Sequence, residues 1–519
     1  MTSAAERVGA GLAASRPARP IRSLERIHVI GAAGAGASAA ALLGARAGAV
    51  VSGCDPAAPS PYTAALDELG VTIAHHHDPE HVTRQPHPDR LAVTKALTAI
   101  EPDHPELHAA RVAGIPLEAW QQVVADAAVG RTLVGVAGTH GKSTTTGWLI
   151  HVLVAGGADP SGFVGALMPE GITGASPATA RWGSGDAFVV EADEYAGNFD
   201  AYRPRLAVLT SAEWDHPDVF ADGAAVAAAF ETWIRRMPDG ATLVANVGDP
   251  GVEGVLDRLA DWHGTMLAYA LVDQAPQRLG GYARAIGDRF ATALGPATAL
   301  LGRITASEPA STTLDIHGID PLAGPVTTRL PTAGRHNAAN ALAVAGAATV
   351  LGMRPDAVTA GLASFAGIGR RLERKGEVAG VVVYDDYGHH PTAIRETLAA
   401  VRQREPGRPV WAVYEPLTFH RTAAMLGTFA DVLSAADGVA IADIWAGRDP
   451  DTTVASAAGL AAAVAARRPG LTVLAPGSVE ATADRLAETV RSGDVVLVMG
   501  GGASYRIGER LLERLEDRG

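Results

Sequence analysis

The sequence predicts an α/β fold in three domains, and three observations carry that prediction. The chain has 519 residues, too many for a single core, so it divides into several domains. Short apolar runs of strand character alternate with amphipathic helical stretches, the signature of parallel sheets covered by helices. That alternation restarts three times along the chain.

The first unit opens with Ile27-His28-Val29-Ile30 and a glycine-rich turn, and closes near Trp120 to Val129. The second opens with Leu133-Val134-Gly135-Val136-Ala137 and another glycine turn, followed by apolar runs at 187–190, 206–210 and 241–245. From about Gly264 to Leu330 the helical period fades, and short runs with Gly and Pro predict an antiparallel patch. The third unit has strand-like runs at 381–384, 410–414, 439–444, 472–475 and 495–499. The expected division is a disordered leader over 1–22, a first domain over 23–129, a central domain over 130–358 and a C-terminal domain over 359–519. The leader is rich in Ala, Arg and Pro and lacks the apolar core of a secretion signal.

Composition narrows the function. Hydrophobic residues are 47% and charged residues 19%, as in a well-packed globular protein. A net charge of −13 argues against a nucleic-acid partner, which needs a basic surface. One cysteine, Cys54, forms no intrachain disulfide and no cysteine-built metal cluster, which fits a reducing, cytoplasmic setting. No apolar run approaches the length of a membrane span, so no membrane partner is expected.

The chemistry begins at Gly138-Thr139-His140-Gly141-Lys142-Ser143, between an apolar strand and a helix predicted over 144–153. That is the setting of a phosphate loop. Glycines let backbone N–H groups converge on phosphate oxygens, and the helix start adds a favourable dipole. Lys142 is expected at the β- and γ-phosphates of ATP, with the Ser143 hydroxyl on Mg²⁺. The strict spacing would put a further glycine where Val136 stands, so the loop is a shorter variant. The strand Phe188-Val189-Val190 then ends in Glu191-Ala192-Asp193-Glu194. Strand alternation places Glu191 and Asp193 on one face and points Glu194 away. The next strand ends in Asp215-His216 at the same sheet edge. Taken singly, such acids and a lone histidine are often just solvated or structural. Two consecutive strands ending this way beside a phosphate loop favour a metal site of Ser143, Glu191 and His216, with Asp215 and His216 also open to a second cation or to positioning substrate.

These markers, in this order, resemble the Mur ligase family. The resemblance runs from Ile27 almost to the C-terminus and rests on the A-G-T-H-G-K-S-T-T-T loop at 137–146, E-A-D-E at 191–194 and D-H at 215–216. It also rests on G-R-H-N-A-A-N-A at 334–341, Gly369-Arg370-Arg371 and D-D-Y-G-H-H-P-T at 385–392, the last typical of the alanine- and tripeptide-adding branch. The resemblance implies a UDP-binding Rossmann-like N-terminal domain, a central P-loop ATPase-type domain and a Rossmann-like C-terminal domain. It implies ATP as co-substrate, Mg²⁺ or Mn²⁺ as cofactor, and UDP-N-acetylmuramate and L-alanine as partners, in a monomer or weak homodimer. The reaction it implies is amide formation through an acyl phosphate in peptidoglycan precursor synthesis.

By the same resemblance, Lys142, Glu191, His216, Arg371 and Asp386 are the expected catalytic residues. The loop Gly138, Thr139, His140, Gly141, Lys142, Ser143 and Thr144, with His336, Asn337, Asn340 and Arg371, is expected to bind ATP. Asn337 and Asn340 lie three apart on a predicted helix and so share a face. The turn Gly31, Gly34, Gly36 and Ser38, with Asp55, is expected to bind the UDP-sugar. Tyr387, His389 and Arg421 are expected at the incoming amino acid. The chain departs from the family at Ser211, Trp214, Glu415 and Leu417, which leaves a tripeptide open as the alternative nucleophile. Folate-polyglutamate or cyanophycin-type ligases, an NAD oxidoreductase and a non-catalytic nucleotide-binding regulator are the rival readings.

Overall fold

The computed structural model describes residues 7–272, 299–320, 324–447, 449 and 451–518. Three sheets stand in chain order. The first is all parallel, in the order β3-β2-β1-β4-β5. Its strands are β1 (Arg26–Ile30), β2 (Val50–Cys54), β3 (Thr72–Ala74), β4 (Arg90–Val93) and β5 (Leu117–Ala119).

The central sheet is built from β6 (Thr132–Ala137), β7 (Ser161–Met168), β8 (Ala178–Arg181), β9 (Ala187–Glu191) and β10 (Leu206–Leu209). It continues with β11 (Thr242–Asn246), β12 (Thr265–Leu271), β13 (Leu300–Glu308), β14 (Ser311–His317) and β15 (Val326–Leu330). The order is β15-β14-β13-β12-β11-β10-β6-β9-β7-β8. Helices cover both faces. Val134 and Val136 of β6 pack with Trp148 and Leu149 on one side, while Ala137 joins Phe230 and Trp233 in the core on the other. Burial on both faces explains why these strands read as continuous apolar runs. The antiparallel patch is present as β13, β14 and β15, although β12 pairs in parallel with β11. Residues 273–298 and 321–323 of that stretch lie outside the described residues.

The third sheet has β16 (Glu373–Val378), β17 (Val381–Asp386), β18 (Val410–Glu415), β19 (Gly438–Ala442), β20 (Thr472–Gly477) and β21 (Val495–Gly500). Its order is β16-β17-β21-β18-β19-β20, with only β16 antiparallel to its neighbour. Three doubly covered α/β sheets are therefore the fold, as predicted. No helix among the described residues is long and apolar enough to cross a membrane.

Two boundaries need correction. A disordered leader over 1–22 is not what residues 7–22 form. Arg16 reaches Glu118 and Asp126, both at 2.7 Å, Arg19 pairs with Glu25 at 2.6 Å, and the Ala13 N–H donates to the Leu117 carbonyl at 2.8 Å. The segment is held by these ion pairs together with apolar contacts of Leu12 and Ile21 on the cores beneath it. The boundary at 358/359 cuts the helix Pro355–Ala363. Val358 and Leu362 of that helix, with Phe365 and Ile368, pack into the central core, so the C-terminal unit begins after Ile368.

Candidate active site

The phosphate-loop sequence runs from the end of β6 into the helix Lys142–Ala155, two residues earlier than the helix expected from 144. Its glycines are required by both conformation and space. Gly141 has φ +79°, and a Cβ there would lie 2.5 Å from Asn340 Oδ1. At Gly138, φ is +134° and a Cβ would meet Thr210 Oγ1 at 2.2 Å. The loop is braced from outside. The His140 N–H donates to Ser211 Oγ at 2.9 Å, Thr139 Oγ1 donates to the Glu213 carbonyl at 2.9 Å, and His140 Nε2 meets Glu213 Oε2 at 2.8 Å. Ser211, a departure from the family pattern, thus shares with Glu213 in holding the loop. Thr144 follows in the first turn and is half-buried.

Lys142 Nζ donates to Glu194 Oε2 at 2.9 Å and to the Gly138 carbonyl at 2.7 Å, with Asp193 Oδ1 at 3.5 Å. Glu194 therefore turns toward the loop, not away from it. Strand β9 stops at Glu191, and the 3₁₀ turn Tyr195–Ala201 follows, so two-residue alternation no longer applies at Glu194. Burial raises the Glu194 carboxyl to about 7 against the pull of Lys142, and Asp193 adds to the rise. Burial also opposes the charge on Lys142, but Glu194 and Asp193 keep it above its ordinary value.

Ser143 Oγ donates to Glu191 Oε1 at 3.0 Å, and Glu191 Oε2 accepts from the Gly165 N–H at 2.6 Å. The expected metal trio divides here. Ser143 stays with Glu191, whereas His216 groups with Asp193 and Glu194, their ligating atoms lying within 4.8 Å of one another. The second group, two carboxylates and an imidazole, is a hard donor set that fits Mg²⁺ or Mn²⁺, and the Ser143 hydroxyl with Glu191 is a further oxygen pair beside the same loop.

The C-terminal domain closes over this edge. Arg371 donates to Ser143 Oγ at 2.8 Å, and Arg370 and Arg371 both lie over the Tyr387 ring, at 5.1 and 4.9 Å. Asp386 faces inward. Its Oδ2 accepts from the Leu372 N–H at 2.8 Å and its Oδ1 from the Gly388 N–H at 2.7 Å. Both oxygens are engaged by backbone, so this carboxylate builds the loop that carries Tyr387 and His389. Burial raises it despite Arg371 nearby. His390 Nε2 meets the Trp214 carbonyl at 3.2 Å, and Thr392 Oγ1 donates to Glu213 Oε1 at 2.9 Å.

Arg421 is 2% exposed. Its Nε donates to Asp215 Oδ1 at 2.9 Å, and a terminal nitrogen meets His216 Nδ1 at 3.0 Å. The expected free fork for an amino-acid carboxylate is thus engaged across the domain interface by Asp215. Burial opposes the charge on Asp215, yet Arg421, with His216, holds the carboxyl well below its ordinary range. His389 Nε2 lies 3.8 Å from the same carboxylate. Glu415 and Leu417 stand beside Gly502 and Gly501; burial pushes the Glu415 carboxyl up, and its Oε2 has no hydrogen-bond partner.

The other expected residues divide. Asn340 touches the phosphate loop at Gly141. Asn337 shares its face, as expected: its Oδ1 accepts from the Asn340 amide at 3.5 Å, while its own amide donates to Thr332 Oγ1 at 3.1 Å and the Ala333 carbonyl at 2.8 Å. His336 is lowered to about 4 by burial and the nearby His140, so it is neutral at pH 7. In the first domain, Gly31 has φ +84° and Gly34 caps the helix Ala35–Arg46. A Cβ on Gly36 would sit 2.2 Å from the Trp120 ring, so Gly36 admits close packing of helix on Trp120. Asp55 braces the turn, accepting from the Ala33 N–H at 3.0 Å and the Ala57 N–H at 2.8 Å. Ser38 is buried and lies 3.1 Å from Thr179 Oγ1 of the central domain. Sequence reasoning missed Glu213 and the contact of Glu194 with Lys142; for Glu213 the signal was its place two residues before Asp215 at the sheet edge.

Comparison with known proteins accounts for the whole arrangement. Models of the Mur ligase family match in the same order: its catalytic domain over 26–132, its middle domain over 136–348 and its glutamate ligase domain over 370–502. The UDP-N-acetylmuramate–L-alanine ligase of Kineococcus radiotolerans is 38% identical over 501 residues, 96% of this chain and 98% of that protein. The enzyme of the same name from Acidothermus cellulolyticus is 36% identical over 489 residues, 94% of each chain. Among solved structures, UDP-N-acetylmuramate-alanine ligase from Thermotoga maritima superposes with a TM-score of 0.73 at 22% identity, covering 95% of this chain and all of that one. A murein peptide ligase from Psychrobacter arcticus gives 0.68 at 24% identity, covering 95% and 98%. At those identities the solved structures establish the fold alone. Sequence identity over nearly the full length of both chains, three family domains in order and the phosphate loop facing Arg371 agree: this chain belongs to the Mur ligase family.

Proposed function

We propose that the chain is an ATP-dependent ligase that joins L-alanine to the lactyl carboxylate of UDP-N-acetylmuramate, in the cytoplasm. The observation that carries this reading is Arg371 of the C-terminal domain donating to Ser143 of the phosphate loop, which supports phosphoryl transfer at the domain interface. The full-length relatives at 36–38% identity, all named for alanine addition, support the choice of amine.

In this reading a lactyl carboxylate oxygen attacks the γ-phosphorus of ATP, and the β–γ bridging oxygen leaves with ADP. Lys142 and Arg371 spread the charge that develops on the transferring group. Lys142 reaches the phosphates by leaving Glu194, which frees that carboxylate for the cation side of the site. Glu191, Asp193, Glu194, His216 and the Ser143 hydroxyl would hold Mg²⁺, which supplies charge neutralisation at the phosphates when bound. Alanine's amine then attacks the acyl carbon, and phosphate leaves carrying one carboxylate oxygen. Tyr387 and His389 line the approach of the amine from the C-terminal side, and Arg421 holds Asp215 and His216 behind them. Closure of that domain keeps water from the acyl phosphate.

A phosphate-release assay with UDP-N-acetylmuramate, ATP and a panel of amino acids and L-alanine-starting peptides tests this. Release that depends on L-alanine supports the reading. Release with the tripeptide in preference to alanine replaces alanine while keeping the ligase, and no substrate-dependent release removes both.

A further inference from the structure

The first domain contains a cluster that the ligase reaction does not use. His28 comes from β1, Cys54 from the end of β2, His81 from the short helix Glu80–Thr83 and Glu106 from the first turn of the helix Pro105–Ala113. Their ligating atoms all lie within 4.8 Å of one another. Cys54 Sγ is 3.2 Å from both Glu106 oxygens, His28 Nε2 is 3.3 Å from Oε2, and His81 Nδ1 is 3.1 Å from Oε1. In a tetrahedral zinc site with bonds of roughly 2.0–2.3 Å, neighbouring ligand atoms stand about 3.3–3.8 Å apart. The three contacts with Glu106 have nearly that spacing, and the remaining pairs lie within 4.8 Å.

A second, independent feature points the same way. His28 is 2% exposed, and its Nε2 is buried without a hydrogen-bond partner. The opposite nitrogen, Nδ1, meets Ser52 Oγ at 2.9 Å. That contact fixes the ring as outer-shell partners fix metal-bound imidazoles, aiming Nε2 at the cluster centre. Burying that nitrogen is costly without either a proton held against the Glu106 carboxylate, 3.3 Å away, or a cation between the two. Cys54 and Glu106 are fully buried, whereas His81 keeps 19% of its side chain exposed and the exposed His75 and His76 stand nearby. Entry is therefore from the histidine side. His77 Nδ1, 3.2 Å from Cys54 Sγ, flanks it.

We propose that His28, Cys54, His81 and Glu106 form a structural site for a thiophilic divalent cation, Zn²⁺, separate from the nucleotide site. The mixed sulfur, nitrogen and oxygen donors select Zn²⁺ over Mg²⁺. Binding replaces the thiol proton, which is released to solvent. The site also reaches the glycine turn, because the Cys54 carbonyl accepts from the Gly31 N–H at 3.0 Å and the Ala32 N–H at 3.3 Å. A cation holding Cys54 therefore holds the floor of the first domain.

The test takes the full chain, stripped with a chelator and titrated with Co²⁺ alone and then Zn²⁺ alone. Cys54 is the only cysteine, so a thiolate-to-cobalt charge-transfer band reports this site and no other. The expected result is that band at one equivalent of Co²⁺, with tetrahedral d–d absorption, bleached by one equivalent of Zn²⁺. Cys54→Ser abolishes the band, and the half-exposed variant His81→Ala weakens Co²⁺ binding by at least about tenfold. If Cys54→Ser does not fold, the wild-type band and its weakening in His81→Ala carry the test. A folded wild-type chain that takes up Co²⁺ with no thiolate band, or takes up none, overturns the proposal and leaves an internal hydrogen-bonded network in its place.

Discussion

Arg421 of the C-terminal domain donates from Nε to one oxygen of Asp215 in the central domain at 2.9 Å, and a terminal nitrogen forms an ion pair with the same oxygen at 2.8 Å. The pair is buried on both sides, with relative side-chain exposures of 2% and 4%, and it lies beside His216 at the phosphate edge. One side chain thus joins the two domains and contacts His216. Arg421→Ala leaves Asp215 buried without its partner, so each single substitution of the pair costs roughly 3–5 kcal/mol. The double variant Asp215→Asn/Arg421→Ala should cost less than the sum, with a coupling of about 1–3 kcal/mol. Denaturant midpoints of the four chains measure this. Additive losses would mean that the contact does not hold the closed form.

Lys142→Ala should lower turnover at least about 100-fold, because it removes a preorganised charge from the transferring phosphate. The fold should survive, since Glu194 with its raised carboxyl protonates once Lys142 is gone. Steady-state rates beside circular dichroism check both halves. A rate within a few-fold of wild type would take Lys142 out of the mechanism.

Glu194 gives a pH signature. Its folded value, about 7, exceeds its ordinary 4.5. The folded chain therefore keeps a proton that the unfolded chain has lost, and this group's contribution to stability falls as pH rises from about 4.5 to 7. Glu194→Gln removes that fall. Unfolding free energies between those pH values should decline more gently in the variant than in wild type; parallel slopes would contradict the assignment.

Gly36→Ala should destabilise the chain by about 1–3 kcal/mol through overpacking against Trp120, whose ring would stand 2.2 Å from the new Cβ. Gly36→Ala/Trp120→Leu should recover part of the loss. Thermal or denaturant midpoints decide, and an unchanged midpoint for Gly36→Ala would show that the ring moves aside freely.

How far the sequence could be read depended on how local the signal was. The phosphate-loop sequence was legible because strand, glycines, lysine and helix are contiguous, and Lys142 and Ser143 open the helix that follows. Glu194 was misassigned because alternation was carried past Glu191, where β9 ends and the chain turns through Ala196 and Gly197 at positive φ. Strands β7, β8 and β16 left little trace, since β8 and β16 are sheet edges and the apolar pattern of β7 is broken by glycines. The docking of Arg16 on Glu118 and Asp126 spans more than 100 residues, so a polar, Ala- and Pro-rich segment looked unstructured. Arg421 was expected to wait for a carboxylate from solution; its partner, 206 residues away, was visible only in three dimensions. The His28, Cys54, His81 and Glu106 cluster was hidden for the same reason, because parallel strands and two helices assemble it from four separate stretches.

The claim that matters most is transfer of a lactyl oxygen to phosphate. It is tested most directly with UDP-N-acetylmuramate carrying ¹⁸O in both lactyl carboxylate oxygens, incubated with ATP and L-alanine. Mass spectrometry of the released phosphate should find one ¹⁸O per molecule, in step with formation of the alanyl amide. Phosphate without the label, or label transfer with no amide formed, would contradict an acyl-phosphate ligase.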